Sequence, residues 1–374
     1  MTLLQSLRRS LGPVVTLVTS LAVSQPLFAA TSAEFLEQVT QHFAAWDGDS
    51  DGTLSVAEID KAAANPEVKG NAAAALAALK RASRSPSFKH PELNQERIKE
   101  FATKRGADMP DLTGMYGQGV SRLAKLTKRE LFAGGPPQLN TIHQGRLGNC
   151  FCLAPLGAVV HHRPEAIVEM FKPLEDGRIR VTLGKHTTMV ALPTDTELAR
   201  TASNEDAGVW VNVYEKALGQ LRNEAKPEDQ RVGSPIDVLA KGGSAGTILS
   251  FITGHEITRF SFKFAKEKDL PAEEHAAKMK DLREQLQTAV REKRLMTCGT
   301  LKATLPGITG NHAYAVLGYD AKADTVKIWN PFGNTFTPKG EPGPENGFPR
   351  KEGVSEIPLP IFVAQFSGMA FETP

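Results

Sequence analysis

Cys150 stands where a glycine-bearing loop, Gln144-Gly-Arg-Leu-Gly148-Asn149, runs into an apolar stretch of helical character. A thiol in a helix's first turn meets unpaired backbone N–H groups and the positive end of the helix dipole, which favour thiolate over thiol. Gln144, six residues earlier, carries an amide donor able to reach the same cavity. Together with the backbone N–H of Cys150, that donor suits a developing oxyanion. The chemistry on offer is nucleophilic acyl transfer. Cysteine alone does not establish it, because a lone buried cysteine is more often a small hydrophobe. Cys152 supplies the contrast: it points to another side of the helix and reads as core.

A nucleophile needs a base, and the base needs something to orient it. Gly310-Asn-His312-Ala-Tyr-Ala-Val places a histidine at the mouth of an apolar strand, and the next strand ends in Ile328-Trp329-Asn330-Pro331-Phe332-Gly333. Adjacent antiparallel strands would set Asn330 beside His312. An asparagine carbonyl accepts one imidazole N–H and fixes tautomer and orientation, while the other ring nitrogen faces the thiol. His161 and His162 end the cysteine helix, about three turns from Cys150 at ~1.5 Å per residue, too far to act as base.

A second chemistry is written near the N-terminus. Asp47-Gly-Asp49-Ser-Asp51-Gly52-Thr53-Leu54-Ser55-Val-Ala-Glu58 matches the EF-hand calcium loop at its diagnostic positions. Asp47, Asp49 and Asp51 offer carboxylates, Gly52 allows the sharp turn, and Thr53 adds its carbonyl. Ser55 acts directly or through water, and Glu58 closes the shell with both oxygens, giving the ~6–8 oxygen ligands that Ca²⁺ favours. Such hands usually pair. Leu126-Thr-Lys-Arg-Glu130-Leu131 resembles the last third of a partner loop, but counting back puts Gly119, Ser121 and Leu123 at ligand positions, so that hand would be metal-free.

These residues need elements to hold them. Apolar spacing predicts helices over Ala33–Trp46, Val56–Ala64, Asn71–Ala82 and Gln95–Lys104. Glycine-rich Asp108–Val120 reads as loop, and Gly134-Gly-Pro-Pro-Gln138 as a breaker. Beyond it, helical stretches (Cys150–His162, Val209–Arg222, Pro235–Leu239, Ala272–Lys293) alternate with strand-like runs. The runs are Ile179–Thr182, Met189–Leu192, Ile257–Phe264, Ala313–Tyr319, Thr325–Trp329 and Ile361–Phe366. Helices first and strands later suit an α+β arrangement.

The rest of the composition narrows location and partners. Arg8 and Arg9 precede an apolar run, Leu11–Phe28, and then small residues, the order of a secretory signal peptide cleaved near Ala30. The expected location is secreted or periplasmic, with no stable membrane span after cleavage. The formal net charge is +2, and residues 1–30 hold two of the cations and no acid, so no basic field argues for nucleic acid. Three cysteines are too few for a disulfide framework. If Cys150 is the nucleophile, only Cys152 and Cys298 remain to pair, and whether they do stays open. Oligomeric state is not readable.

With these stretches in view, the chain resembles the calpains. Gln144-Gly-Arg-Leu-Gly-Asn-Cys150 is similar to the family's nucleophile motif, Gly310-Asn-His312-Ala-Tyr-Ala-Val to its histidine motif and Asn330-Pro-Phe-Gly to its asparagine motif. Tyr214-Glu-Lys-Ala and Leu239-Ala-Lys-Gly-Gly-Ser-Ala-Gly resemble segments linking the two core lobes. The resemblance implies a papain-like two-lobe core, here 136–374, behind an all-α EF-hand-like domain, 31–135, and a signal segment, 1–30. It implies a calcium-dependent cysteine endopeptidase acting on proteins or peptides through a thioester. Cys150 would be nucleophile, His312 base then acid, Asn330 orienter and Gln144 oxyanion donor. The alternative is a weak or inactive scaffold serving as a calcium-dependent binding module. Asn149, Phe151 and Phe332 depart from the aspartate and tryptophans usual in calpains, and Pro155 removes an N–H one turn past the nucleophile.

Overall fold

The structure is a computed structural model that describes residues 30–83, 93–106 and 109–374. The signal-peptide reading of residues 1–30 lies, apart from Ala30, outside the described residues. Helices open the fold. α1 (Ser32–Trp46) starts at Thr31, whose hydroxyl accepts the Glu34 N–H while the Glu34 carboxylate accepts the Thr31 N–H, a reciprocal capping box. α2 (Val56–Ala64), α3 (Gly70–Ser83), α4 (Gln95–Thr103) and α5 (Leu112–Lys125) follow. The segment is not purely helical: β1 (Thr53–Leu54) pairs antiparallel with β2 (Leu93–Asn94), Leu54 opposite Leu93.

α5 replaces the loop expected over Asp108–Val120. The Asp111 side chain caps it by accepting the Gly114 N–H, and Leu112, Tyr116, Gly119 and Leu123 form its buried face. The glycines that suggested a loop serve close packing. A Cβ on Gly119 would sit 3.1 Å from the Ala74 Cβ of alanine-rich α3. The same helix rules out the partner loop expected from Gly119, since residues 119–125 are helical. The chain that pairs with the Asp47 loop is β2, leading into α4.

α6 (Cys150–His162) is buried from Phe151 to Val160 and runs unbroken across Pro155. Tyr214 Oη donates to the Cys152 carbonyl at 3.0 Å, next to the Phe151 carbonyl that Pro155 leaves without its helical N–H. After α7 (Pro164–Glu169) comes a three-stranded meander of β3 (Phe171–Pro173), β4 (Ile179–Leu183) and β5 (His186–Val190). Then follow α8 (Asp195–Leu198), α9 (Trp210–Glu224), a 3₁₀ turn over Pro235–Lys241 and α10 (Ala245–Thr253).

The second lobe is a seven-stranded antiparallel sheet. Its strands are β6 (Glu256–Ser261), β7 (Met296–Gly299), β8 (Ala313–Asp320), β9 (Thr325–Trp329), β10 (Arg350–Lys351), β11 (Val354–Pro358) and β12 (Gly368–Thr373). They lie in the order β10-β11-β9-β8-β7-β12-β6, with α11 (Ala272–Arg291) and α12 (Leu359–Gln365) inserted. The strand expected at Ile361–Phe366 is helical, because Leu359, Phe362, Val363 and Phe366 bury at three- and four-residue spacing behind Pro358. The Met189–Leu192 run is shifted, the strand being His186–Val190.

One continuous cluster of buried side chains runs from Phe35 in α1 through α3, α6 and α9 to Trp329 in β9. A second, from Phe260 to Phe371, lies against the far face of the sheet under α11 and α12. A buried ion network reinforces the join between N-terminal helices and core: Lys80 of α3 contacts Asp60 of α2 and, at 2.9 Å, Asp237, which also takes Arg200. No helix among the described residues is long and apolar enough to cross a membrane.

Candidate active site

Three elements converge on one cavity of about 730 Å³. Cys150 enters from the first residue of α6, His312 from the residue before β8, and the segment Lys241–Gly246 forms the opposing wall. The sheet supplies Thr297–Leu301 and Ser367–Ala370. The Cys150 thiol lies against the backbone N–H groups of Ala313, Phe151 and Cys150 itself.

β8 and β9 pair with Ala315 opposite Trp329, so the residues just outside that pair, His312 and Asn330, end on the same rim. His312 Nε2 and Asn330 Oδ1 are 2.9 Å apart. Asn330 Oδ1 also accepts the Phe332 N–H at 3.0 Å, which identifies that atom as oxygen and makes it an acceptor towards the ring. Nε2 must therefore carry the proton, and Nδ1 is left basic. Nδ1 has no hydrogen-bond partner among the described residues, and its ring shares the cavity with Cys150.

Aromatic neighbours hold the imidazole in place. Phe332 stacks on it at 4.8 Å and 5°, and Tyr314 meets it edge-on at 4.9 Å. Phe332 thus covers the histidine–asparagine pair, the part played by tryptophan in the resemblance. Thr300 was not readable from sequence. Its Oγ1 accepts the His312 N–H at 3.2 Å, and its backbone N–H donates to the His312 carbonyl at 2.9 Å. Asn311 turns the chain with φ 51°, a left-handed conformation that asparagine tolerates.

Burial sets the electrostatics. It pushes the His312 imidazole down to about 4, against the hydrogen bond to Asn330. It pushes the Cys150 thiol up, and the three backbone N–H groups only partly offset it. Burial and the backbone N–H groups at the helix start thus pull the thiol in opposite directions, burial being the larger effect. Cys152 and Cys298 are free, buried thiols, unpaired with each other. His161 and His162 sit in the last turn of α6, at the end opposite Cys150.

Gln144 is placed differently from expectation. Its backbone N–H donates to the Pro331 carbonyl at 2.8 Å, tying it to the Asn330 loop. Its side chain lines a neighbouring groove with Phe332, outside the wall around Cys150, and finds no hydrogen-bond partner among the described residues. It remains an unengaged amide one aromatic ring away from His312.

Residues 120–341 match the family model described as calpain family cysteine protease, a span that contains Cys150, His312 and Asn330. The chain belongs to the calpain family. No curated protein matches it. A calpain-family core makes it a cysteine-type peptidase with peptide substrates, on a mixed helix-and-sheet fold.

The Asp47 loop folds as a tight, carboxylate-lined turn. Ligand oxygens of Asp47, Asp49 and Glu58 lie within 4.8 Å of one another. Glu58 Oε1 accepts the Gly48 N–H at 2.6 Å, and Asp47 Oδ2 accepts the Gly52 N–H at 2.9 Å. Asp47 Oδ1 is buried without a partner. Of the other expected ligands, Asp51 Oδ1 accepts the Thr53 N–H, and the Ser55 hydroxyl donates to Glu58 while capping α2. Thr53 lies in β1 and would contribute only its carbonyl.

Proposed function

We propose that this calpain-family chain is an endopeptidase in which Cys150 is the nucleophile and His312 its base. The observation that carries the reading is the double acceptance at Asn330 Oδ1, which leaves His312 Nδ1 basic in the cavity of Cys150. The thiol proton passes to Nδ1 as sulfur attacks the scissile carbonyl. When the C–N bond breaks, imidazolium returns that proton to the leaving amine, and water, deprotonated at Nδ1, hydrolyses the thioester. The backbone N–H at Cys150 would hold the oxyanion, and the Gln144 amide would join it only by turning in from the neighbouring groove. Iodoacetamide should label Cys150 in the wild type. Cys150→Ala should lose both the label and cleavage of an unfolded protein such as reduced casein. Undiminished cleavage by that variant would overturn the assignment.

We also propose that the Asp47–Glu58 loop holds calcium. The unpartnered Asp47 Oδ1 and the convergent carboxylates fit a hard cation that takes oxygen ligands. Asp47, Asp49, Asp51 and Glu58 would hold it by side chains, Thr53 by its carbonyl and Ser55 directly or through water. Bound calcium would neutralise the charge that these carboxylates concentrate. Secretion behind a signal segment 1–30, with an EF-hand-like unit over 31–135 and the protease core over 136–374, completes the proposal.

Burial, which raises the thiol and lowers the imidazole, is the observation behind a second reading, a calcium-dependent binding module on a protease scaffold. Iodoacetamide rates across pH 5–8 separate the two. An unreactive Cys150 in folded, calcium-loaded protein supports the module; ordinary thiolate reactivity supports the peptidase.

A further inference from the structure

A groove of about 1370 Å³ opens beside the catalytic cavity, between α5 and the loop leading to Cys150. The two spaces meet at one aromatic ring. Phe332 lines the groove and stacks on His312, which lines the cavity. Gln144 faces the groove from the same side.

The groove's wall is strongly one-sided in charge. Arg81, Arg122, Lys125, Arg146 and Arg200 line it, against Glu205 as the lining carboxylate. Some of these cations are answered. Arg200 pairs with Asp237, Arg122 feels buried Glu215, and Glu205 lies 3.0 Å from His143. Arg81 donates to Gln118 at 3.2 Å and feels Asp111, but neither it nor Lys125 nor Arg146 forms an ion pair among the described residues. The chain as a whole carries only +2, so this is local concentration and not general basicity. Burial disfavours the charge on Arg81, nearby Arg146 and Arg200 add to that, and Asp111 opposes it. Like charges facing one space raise the energy of the folded state, and an anion entering that space relieves the repulsion.

We propose that this groove is a subsite for an acidic stretch of the peptide substrate, lying on the Phe332 side of the scissile bond. The proposal rests on the peptidase reading above for the identity of the ligand as a peptide. Guanidinium groups match carboxylates in planar, two-point geometry, and extended chain advances ~3.3 Å per residue, so Asp or Glu a few residues from the cleaved bond would reach them. Arg81 and Lys125 come from α3 and α5, which gives the N-terminal helices a direct part in substrate choice.

The test uses Cys150→Ala protein, which would bind without cleaving, and two fluorescent peptides of equal length, one with three Glu and the other with three Gln. The Glu peptide should bind about tenfold more tightly at low salt, an advantage that shrinks at ~0.5 M salt. Arg81→Gln with Lys125→Gln should remove most of the preference. Arg146→Gln, at an exposed position, repeats the test should the double variant fold poorly. Equal binding of both peptides, or a preference undiminished in the charge variants, overturns the subsite. Cleavage by the wild type without charge preference overturns it while leaving the peptidase intact. Selective binding without any cleavage upholds the subsite and overturns the peptidase reading.

Discussion

Asn149, the N-cap residue of α6, gives its side-chain N–H to Glu215 instead of capping its own helix. The first N–H groups of α6 are thereby left for the Cys150 sulfur, which they contact. Glu215 is fully buried, its second oxygen accepting the Ala202 N–H at 2.9 Å, and burial pushes its carboxyl up to about 7. Between about 4.5 and 7 the folded chain therefore holds a proton that the unfolded chain releases, so this group's stability contribution falls as pH rises. The loss approaches roughly 3 kcal/mol above that window, at ~1.4 kcal/mol per pKa unit. Glu215→Gln stays neutral throughout. Urea denaturation at pH 5 and pH 8 should show the variant gaining on the wild type at the higher pH. A constant difference between the two proteins would refute the titration.

His312 makes the opposite demand. With its imidazole held down to about 4, the basic Nδ1 survives well into acid. The acid limb of kcat/KM should fall with a midpoint near 4, where an unperturbed histidine would lose activity near ~6.5. A pH–rate profile in buffers of constant ionic strength reads this directly. For stability the sign also differs from Glu215: between about 4 and 6.5 the unfolded chain takes up a proton that the folded chain refuses, so acid destabilises.

Asn330→Ala should leave the thiol and imidazole in place but free the tautomer. The expected result is a fall in kcat of at least ~100-fold with little change in KM, short of the ~10⁴-fold loss when an orienter enforces the wrong tautomer. Steady-state kinetics on a single quenched peptide suffice to check it. A KM effect with unchanged kcat would instead assign Asn330 to substrate binding.

Gly157 tests how the helix and sheet fix the site. A Cβ there would lie 2.4 Å from the Trp329 ring, the residue before Asn330. Gly157→Ala should destabilise by about 1–3 kcal/mol through overpacking and lower kcat by moving Trp329 and its neighbour. Urea denaturation and kinetics on the same preparation separate the two effects.

Calcium at 100 times its dissociation constant should raise stability by about 2.7 kcal/mol if it binds only the folded chain. EDTA should reverse the shift, and Glu58→Gln should abolish most of it. Specific activity measured alongside distinguishes a switch, where activity falls with calcium removal, from a staple, where it does not.

Much of this architecture was legible along the chain, and the exceptions have physical causes. The nucleophile helix and the two strands flanking His312 and Asn330 stand out because their apolar runs are long and their boundaries carry glycine or proline. α5 was hidden because its glycines serve contact with Ala74, a tertiary demand that composition reads as a turn. α12 was hidden because Ile361–Phe366 is apolar at almost every position, and a short run of that kind has no period of its own. Thr300 and the cationic groove depend on residues far apart in sequence. The Cys150 thiol shows the same limit: the N–H groups at the helix start are local and favour thiolate, while burial, which only the folded chain creates, opposes them.

The unbroken core from Phe35 to Trp329 bears on how the molecule evolves and fails. Stripping away the first five helices would uncover the apolar side of the lobe that carries Cys150 and cut Lys80 from Asp237. The N-terminal segment is then no detachable cassette. The two parts should melt in one cooperative transition, and a lesion in α3 would cost the enzyme its fold before its chemistry.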